Sequence, residues 1–192
     1  DIVYFSSLDG YLHGRPLSDP QATSLRHPAS LPASLDQGQS DLVFGYATSG
    51  LTIVDDVLVY GTVDGDVKGF SLAFRSKAFS IKPFEGGQPI VSAPVATQAG
   101  QVLAVAGTSG EIGFIDLKRQ AVLGRPIQTA NRITADLVEA GNLVFAAGRD
   151  NWLYAIDSTE RKVAWSRAGK GDYIAPPKVT GERFIVAGDA HG

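Results

Sequence analysis

A unit of strand, tight turn and strand recurs along this chain, and the recurrence limits the folds that the sequence can adopt. The clearest copy, residues 141–165, reads GNLVFAAGRDNWLYAIDSTERKVAW. Two runs of β-forming residues flank the turn at 149–151, a third run follows a polar turn, and no run has helical spacing. The second residue of the equivalent turns is Gly10, Gly65, Gly110, Asn151 or Gly192. The period, 41 to 45 residues after a longer first interval of 55, is typical of the blades of a β-propeller.

We expect four antiparallel strands in each copy, which we name A to D from the propeller axis outward. The predicted A strands are residues 51–54, 90–96, 133–138 and 174–179, and the B strands are 2–6, 57–61, 102–107, 143–148 and 184–188. The C strands are 11–14, 67–72, 112–117 and 152–156, and the D strands are 42–46, 77–81, 121–125 and 162–167. A glycine or asparagine in the B–C turn supplies the positive φ that a two-residue hairpin needs.

These strands predict an all-β fold class: a β-propeller of four-stranded antiparallel blades in one domain, residues 1–192. Counting the strands gives three full blades flanked by two partial ones, so we expect an incomplete arc of a larger propeller. An arc of this kind exposes the packing faces of its end blades. We therefore expect the missing blades to come from a second copy, from another polypeptide or from a further part of the same one.

Residues 17–40 lengthen the first copy and are rich in Ser, Pro, Ala and Gln. No strand or helix period is visible there, which favours an insertion that forms a surface loop between strands C and D. Because neighbouring strands alternate in direction, such a loop emerges on the face opposite the B–C turns. The alternative is a partner-docking insertion that uses Arg26 and His27.

One copy carries a longer motif. Ala155, Asp157 and Trp165 have the spacing Ala-x-Asp-x-x-x-Gly-x-x-x-Trp, with Arg161 at the glycine position. The third copy has Phe114, Asp116, Gln120 and Gly124 at these four positions, and the second has Gly69, Ser71, Arg75 and Phe79. The motif resembles the PQQ-like (quinoprotein-type) propeller repeats of quinone-dependent dehydrogenases and of the outer-membrane assembly lipoprotein of the β-barrel machinery. The resemblance implies that the Trp docks between adjacent blades. The Gly-His and Trp-Asp signals of WD repeats do not occur in the sequence.

The composition excludes several kinds of function. The chain has no cysteine, which excludes disulfides, thiolate catalysis and cysteine-ligated metals. Its net charge of −3 gives no general attraction to nucleic acid or to an anionic membrane. No apolar run approaches the roughly 18 residues of a membrane-spanning helix.

The short polar motifs fit turns better than reactive sites. The stretch 64–66, Asp-Gly-Asp, lacks the further ligands of a calcium loop, so we interpret it as an acidic hairpin. The histidines have no metal-ligand spacing, and no Gly-x-Ser-x-Gly nucleophile motif occurs. We interpret the basic pairs Lys118-Arg119 and Arg161-Lys162 as solvated turns. The sequence thus assigns no catalytic, cofactor-binding or metal-binding residue.

The function that this pattern favours is a non-catalytic protein-binding or assembly scaffold, with no cofactor. The residues assigned to its repeats are Gly10, Gly65, Gly110, Asn151, Ala155, Asp157 and Trp165. The resemblance implies a bacterial cell envelope protein, periplasmic or extracellular, whose partners are other proteins. Two alternatives stay open: the propeller part of a quinone-dependent dehydrogenase, and a ligand-sensing ectodomain of a receptor or kinase.

Overall fold

A computed structural model describes residues 2–6, 11–19, 21, 25–28, 49–74, 76–181 and 184–191. Within these ranges the chain forms 18 β-strands, which are all paired antiparallel. The described residues include no helix long and apolar enough to cross a bilayer.

The strands form five sheets, which we number I to V in chain order. Sheet I contains β1 (Ile2–Ser6), β2 (Tyr11–Pro16) and β3 (Leu25–Pro28). Sheet II contains β4 (Thr52–Val54), β5 (Val57–Gly61), β6 (Val67–Ser71) and β7 (Ser76–Ile81). Sheet III contains β8 (Val95–Thr97), β9 (Val102–Ala106), β10 (Glu111–Asp116), β11 (Ala121–Val122) and β12 (Ile127–Gln128). Sheet IV contains β13 (Val138–Ala140), β14 (Leu143–Ala147), β15 (Trp152–Asp157) and β16 (Lys162–Ala168), and sheet V contains β17 (Lys178–Thr180) and β18 (Phe184–Val186).

This order confirms the predicted sequence of A, B, C and D strands in sheets II to IV. The B and C strands lie within one or two residues of their predicted positions. The A strands of sheets III to V are shorter than predicted and begin four or five residues later, at Val95, Val138 and Lys178. The residues ahead of them make isolated bridges, such as Ile133 with Gly148, or single backbone hydrogen bonds, such as the Ile90 amide to the Thr62 carbonyl at 3.1 Å.

One predicted D strand and the predicted insertion need correction. In sheet III the predicted strand 121–125 stops at Val122 and pairing resumes at Ile127. The interruption has a backbone cause, because Gly124 has a φ of +70° and Pro126 cannot donate a hydrogen bond to the ladder. In sheet I the outer strand is Leu25–Pro28, which pairs with β2 inside the segment predicted to be a strand-free insertion. The predicted strand at 42–46 lies outside the described residues.

The B strands of sheets II, III and IV are each buried on both faces and contribute to two cores. In β9 the side chains of Val102, Ala104 and Ala106 pack toward sheet IV. The alternate side chains, Leu103 and Val105, pack toward sheet II. Similar cores join sheet I to sheet II and sheet IV to sheet V. The hydrophobic core is therefore a series of layers between consecutive sheets, which is where a propeller has its core.

The innermost strands bring the sheets together around a common axis. Strand β4 contacts β8, β8 contacts β13, and β13 contacts β17. Hydrogen bonds reinforce this inner ring: the Ala93 amide donates to Asp136 Oδ1 at 2.6 Å, and the Thr52 hydroxyl donates to the carbonyl of Pro94. The sheets are therefore arranged as propeller blades rather than as two stacked layers.

The first and last positions of the repeat motif form a packing pair between strands C and D. Ala155 is fully buried and lies opposite Trp165, whose ring packs on Phe145 at 5.8 Å between centroids. In sheet II the pair is Gly69 and Phe79, and a Cβ on Gly69 would lie 2.3 Å from the Phe79 ring.

Sheet III reverses the sizes in this pair, since Phe114 is buried on strand C and Gly124 occupies the outer position. In all three copies, therefore, one of the two positions is small and the other carries an aromatic ring. Phe79 lies in a core between sheets, as the resemblance implies for a Trp. Trp165, in contrast, packs within its own sheet and is 40% exposed.

The second position of the motif caps the C–D turn in all three sheets. Its side-chain oxygen accepts a hydrogen bond from the amide three residues later: Ser71 from Phe74 at 3.2 Å, Asp116 from Arg119 at 2.7 Å and Asp157 from Glu160 at 2.9 Å. This Asx-type or Ser-type turn satisfies an amide that the strand ladder leaves unpaired. Serine in the second copy therefore keeps the function of aspartate in the others.

The third position of the motif has a left-handed backbone. Gln120 and Arg161 stand where the motif has glycine, and both have a φ of +52°. A side chain raises the energy of this conformation by about 1–2 kcal/mol.

We expect Gln120→Gly to raise the free energy of unfolding by about 0.5–1 kcal/mol, because glycine removes the left-handed strain but adds chain entropy to the unfolded state. Lys118→Gly is the matched control in the same turn, since the φ of Lys118 is not positive. It should lower stability by about 0.4–1 kcal/mol. Urea unfolding measures both changes, and equal losses in the two variants would contradict the assignment of strain to Gln120.

Candidate functional site

The structure places the residues predicted to act in the repeats at turns and on strands C and D. Gly65, Gly110 and Asn151 have φ values of +77°, +90° and +66° in their B–C turns. Gly10 lies outside the described residues. The proposed partner-binding residues Arg26 and His27 lie on β3, paired through the backbone with β2. Their side chains also lie outside the described part of the structure.

The carboxylates of the B–C turns hold neighbouring sheets together. Asp150 Oδ2 accepts hydrogen bonds from the Ala130 amide at 3.1 Å and from the Tyr154 hydroxyl at 2.6 Å. Burial, assisted by the hydrogen bond and charge of Asp150, raises the pKa of Tyr154 above its usual value. Asp189 repeats the contact, since its Oδ2 accepts from the Lys170 amide at 2.8 Å. These acids serve the fold, and no group of three or more His, Asp or Glu among the described residues could hold a metal ion.

The opposite face carries the A–B and C–D turns, and we call it the A–B face. A groove of about 680 Å³ opens there between sheets III and IV. Its lining comes from the A–B turn and strand B of sheet III, from the end of its strand C, from both C–D turns and from the residue that follows β11. The lining residues are Gln98, Gln101, Val102, Asp116, Lys118, Arg119, Leu123 and Arg161.

The lining of this groove combines cations with apolar and amide groups. Arg161 reaches from sheet IV toward sheet III, where its Nε lies 3.8 Å from the place a Cβ on Gly124 would take. Gln98 donates from Nε2 to the carbonyl of Ser158 at 2.9 Å. This hydrogen bond joins sheet III to sheet IV beside the groove. Arg119 is paired with Asp116, Nη1 to Oδ2, at 3.2 Å. Within the described part of the structure neither Lys118 nor Arg161 forms a salt bridge.

A second groove, of about 310 Å³, lies on the same face between sheets II and III. It shares Gln101 and Lys118 with the first groove. Its lining is mostly apolar, with Val59 and Phe79 among its residues, and it also includes Asp55. The two grooves therefore flank the turns of sheet III as one surface, which we call the sheet III groove surface.

Sequence reasoning identified the two basic pairs but did not bring them together. Lys118 and Arg161 are 43 residues apart, and each belongs to a C–D turn. The missed signal is the repeat period itself, because C–D turns of consecutive blades lie on the same face and next to each other. Reading the charges of equivalent turns across copies would have predicted a shared cationic surface.

No protein-family profile matches the sequence, and no curated protein matches it as a relative. Solved structures with the same architecture are similar to it. The computationally designed Ika8 protein has a TM-score of 0.71 at 15% identity, over 98% of this chain and 52% of that one. The structure of U3-55K and the RRP9 WD40 repeats each have a TM-score of 0.60, at 14% and 13% identity, over 67% of this chain and 41% of theirs.

The chain thus spans about half the length of these structures or less. The similarity agrees with the radial arrangement of antiparallel sheets described above. The chain therefore has the β-propeller fold, built from four-stranded blades.

Proposed function

We propose that this chain is a non-catalytic protein-binding scaffold and that the sheet III groove surface holds a partner segment with acidic and apolar side chains. The observation that supports this proposal most is the convergence of Lys118, Arg119 and Arg161 on one groove. Val102 and Leu123 add apolar groups to the same lining. The cations come from turns of two different blades, so the rigid sheets set their spacing.

The charges of the groove favour an acidic partner. Asp116 already accepts hydrogen bonds from the Arg119 amide and guanidinium, which leaves Lys118 and Arg161 without an acidic partner in the described residues. Carboxylates bind guanidinium groups with directed, charge-assisted hydrogen bonds. Charged pairs at the edge of an interface mainly contribute specificity and association rate.

We expect apolar side chains of the partner to supply affinity by entering these grooves, since Val59, Phe79 and Val102 are themselves already buried. Val102 and Leu123 line the first groove, and Val59 and Phe79 line the second. Burial of an apolar side chain stabilises a complex in proportion to the area removed from water. A segment that combines apolar and acidic side chains matches this lining.

A peptide-display library tests the proposal without a known partner. We expect panning against the protein to enrich acidic peptides that contain apolar residues. The double charge reversal K118E/R161E should weaken the binding of an enriched peptide at least about tenfold, as measured by fluorescence anisotropy. Raising the salt concentration should weaken binding to the unaltered protein as well, because the contacts at the rim are screened.

A matched control is available on another groove. Lys82 and Arg125 line a groove of about 630 Å³ that also contains Glu85 and Glu111. The variant K82E/R125E makes the same change of charge there and should bind the peptide as the unaltered protein does. Equal loss in both variants, or enrichment of peptides without acidic residues, would refute the acidic-partner proposal.

We also propose that the repeats are related to the PQQ-like family and that the scaffold works in the cell envelope. The support is the physical equivalence of the motif positions: a large and small packing pair and a turn-capping oxygen in three copies, and a left-handed residue in the two copies where that position is described. Fractionation of the native cells with an antibody against this chain tests the location. Recovery in the cytoplasmic fraction alone would contradict it.

A further inference from the structure

The packing between blades follows one rule in the described structure. We call the face of a sheet that turns to the next sheet its leading face, and the opposite face its trailing face. Leading positions on strand B are Val59 in sheet II and Ala104 in sheet III. Trailing positions are Leu58 in sheet II and Leu103 in sheet III. All four side chains are at most 1% exposed, because each interface joins one leading face to one trailing face.

Sheet V carries large apolar side chains at the same leading positions. Ile185 packs toward sheet IV, so its neighbours Phe184 and Val186 point to the leading side. Phe184 is 69% exposed and Val186 is 59% exposed. In register, Val186 corresponds to Phe145 of sheet IV, since each lies opposite the third residue from the end of strand A.

Sheet I carries the matching trailing face. Tyr4 packs toward sheet II, so Val3 and Phe5 point away from it. Val3 is 46% exposed and Phe5 is 41% exposed. The Phe5 ring stacks on His13 of strand C at 5.1 Å between centroids, which extends the flat surface outward from strand B. Apolar groups of this size grouped on one face of a sheet mark an interaction surface.

We propose that the leading face of sheet V in one copy docks on the trailing face of sheet I in a second copy. Four interfaces within the chain join a leading face to a trailing face. The two end faces carry apolar residues at the same positions and would continue this series. The resulting contact is head to tail, so it either closes a ring or extends. This proposal does not depend on the sheet III groove surface.

A ring of two copies is the smallest closed form of this head-to-tail contact. A ring of two copies uses both end faces of each copy and leaves no face for further addition.

Light scattering on size-exclusion fractions of the full chain tests this proposal. We expect a dimer that dissociates on dilution. Phe184→Asp should raise the dissociation constant at least about tenfold, because it puts a charge into a desolvated contact. Phe5→Asp should do the same from the other face. Phe74→Asp is the control, since Phe74 is 84% exposed in a turn of sheet II and should leave the dimer unchanged.

Mixing the variants separates head-to-tail docking from other modes. The Phe184→Asp variant keeps its sheet I face, and the Phe5→Asp variant keeps its sheet V face. We expect each variant alone to be a monomer and the mixture to form a one-to-one pair. Circular dichroism confirms that both variants are folded. A monomeric unaltered chain at all concentrations, a dimer of either variant alone, or no pairing in the mixture would each overturn the proposal; a monomer would indicate that other blades cover these faces.

Discussion

Phe114→Ala is expected to lower the free energy of unfolding by about 3–5 kcal/mol, the usual loss for removing a buried phenylalanine. Phe114 is 1% exposed in the core between sheets III and IV, opposite Ala104 on the neighbouring strand. Its ring supplies the volume that Phe79 and Trp165 supply from the outer strand in sheets II and IV. Because the equivalent outer residue is Gly124, no other side chain of the motif can fill the space.

Phe74→Ala is the matched control for this change. Phe74 is 84% exposed, so the same substitution there should alter stability by no more than about 0.5 kcal/mol. Both variants can be compared by urea unfolding with a common slope. A small loss at Phe114, comparable with that at Phe74, would show that the core between sheets III and IV is not packed as described.

Gly110→Ala is expected to lower the free energy of unfolding by about 3–5 kcal/mol, from backbone strain and overpacking together. Gly110 has a φ of +90° in the B–C turn of sheet III. A Cβ there would lie 2.4 Å from the carbonyl oxygen of Asn131 and 2.6 Å from Thr129 Oγ1. The connection from strand D to the next blade therefore lies directly against this turn.

Gly86→Ala separates the two causes. Gly86 has a φ of +83°, close to that of Gly110, but a Cβ there would meet no atom within 4 Å. We expect it to lose only the strain of a left-handed side chain, about 1–2 kcal/mol. If the two variants were equally destabilised, the close approach of residues 129–131 to the turn would be contradicted.

The sequence predicted strands B and C well because the signals for the two strands and for the turn between them lie within a few residues of each other. Period-two alternation marks the strands, and Gly65, Gly110 and Asn151 mark the turns with residues suited to positive φ. The two-sided burial of a B strand such as Val102–Ala106 also leaves an apolar run that is easy to recognise.

Strands A and D were harder to predict because their pairing depends on distant parts of the fold. The residues before Val95 and Val138 are extended and apolar, like a strand, but they pack on the neighbouring blade instead of extending the ladder. Strand Leu25–Pro28 has no alternating pattern, and it forms because it can pair with the outer edge of β2. Neither the packing on a neighbouring blade nor the pairing with a distant strand can be predicted from local sequence.

The candidate site was only partly predictable. The sequence identified the basic pair at Lys118 and the one at Arg161 as turn residues, and the structure agrees that they lie in C–D turns. Their convergence on one groove depends on the blades being neighbours around an axis. The exposed apolar positions Phe184 and Phe5 depend on the same fact, since alternation alone does not say which face has a partner.

Methyl nuclear Overhauser effects from β9 test the central claim, that the sheets radiate as blades with a core on each side. Ala104 and Val105 are neighbours in the chain, and both are fully buried. We predict contacts from the Ala104 methyl to Val144 of sheet IV and from the Val105 methyls to Val59 of sheet II. In two stacked sheets one face of β9 would meet solvent, so the absence of either set of contacts would contradict the blade arrangement.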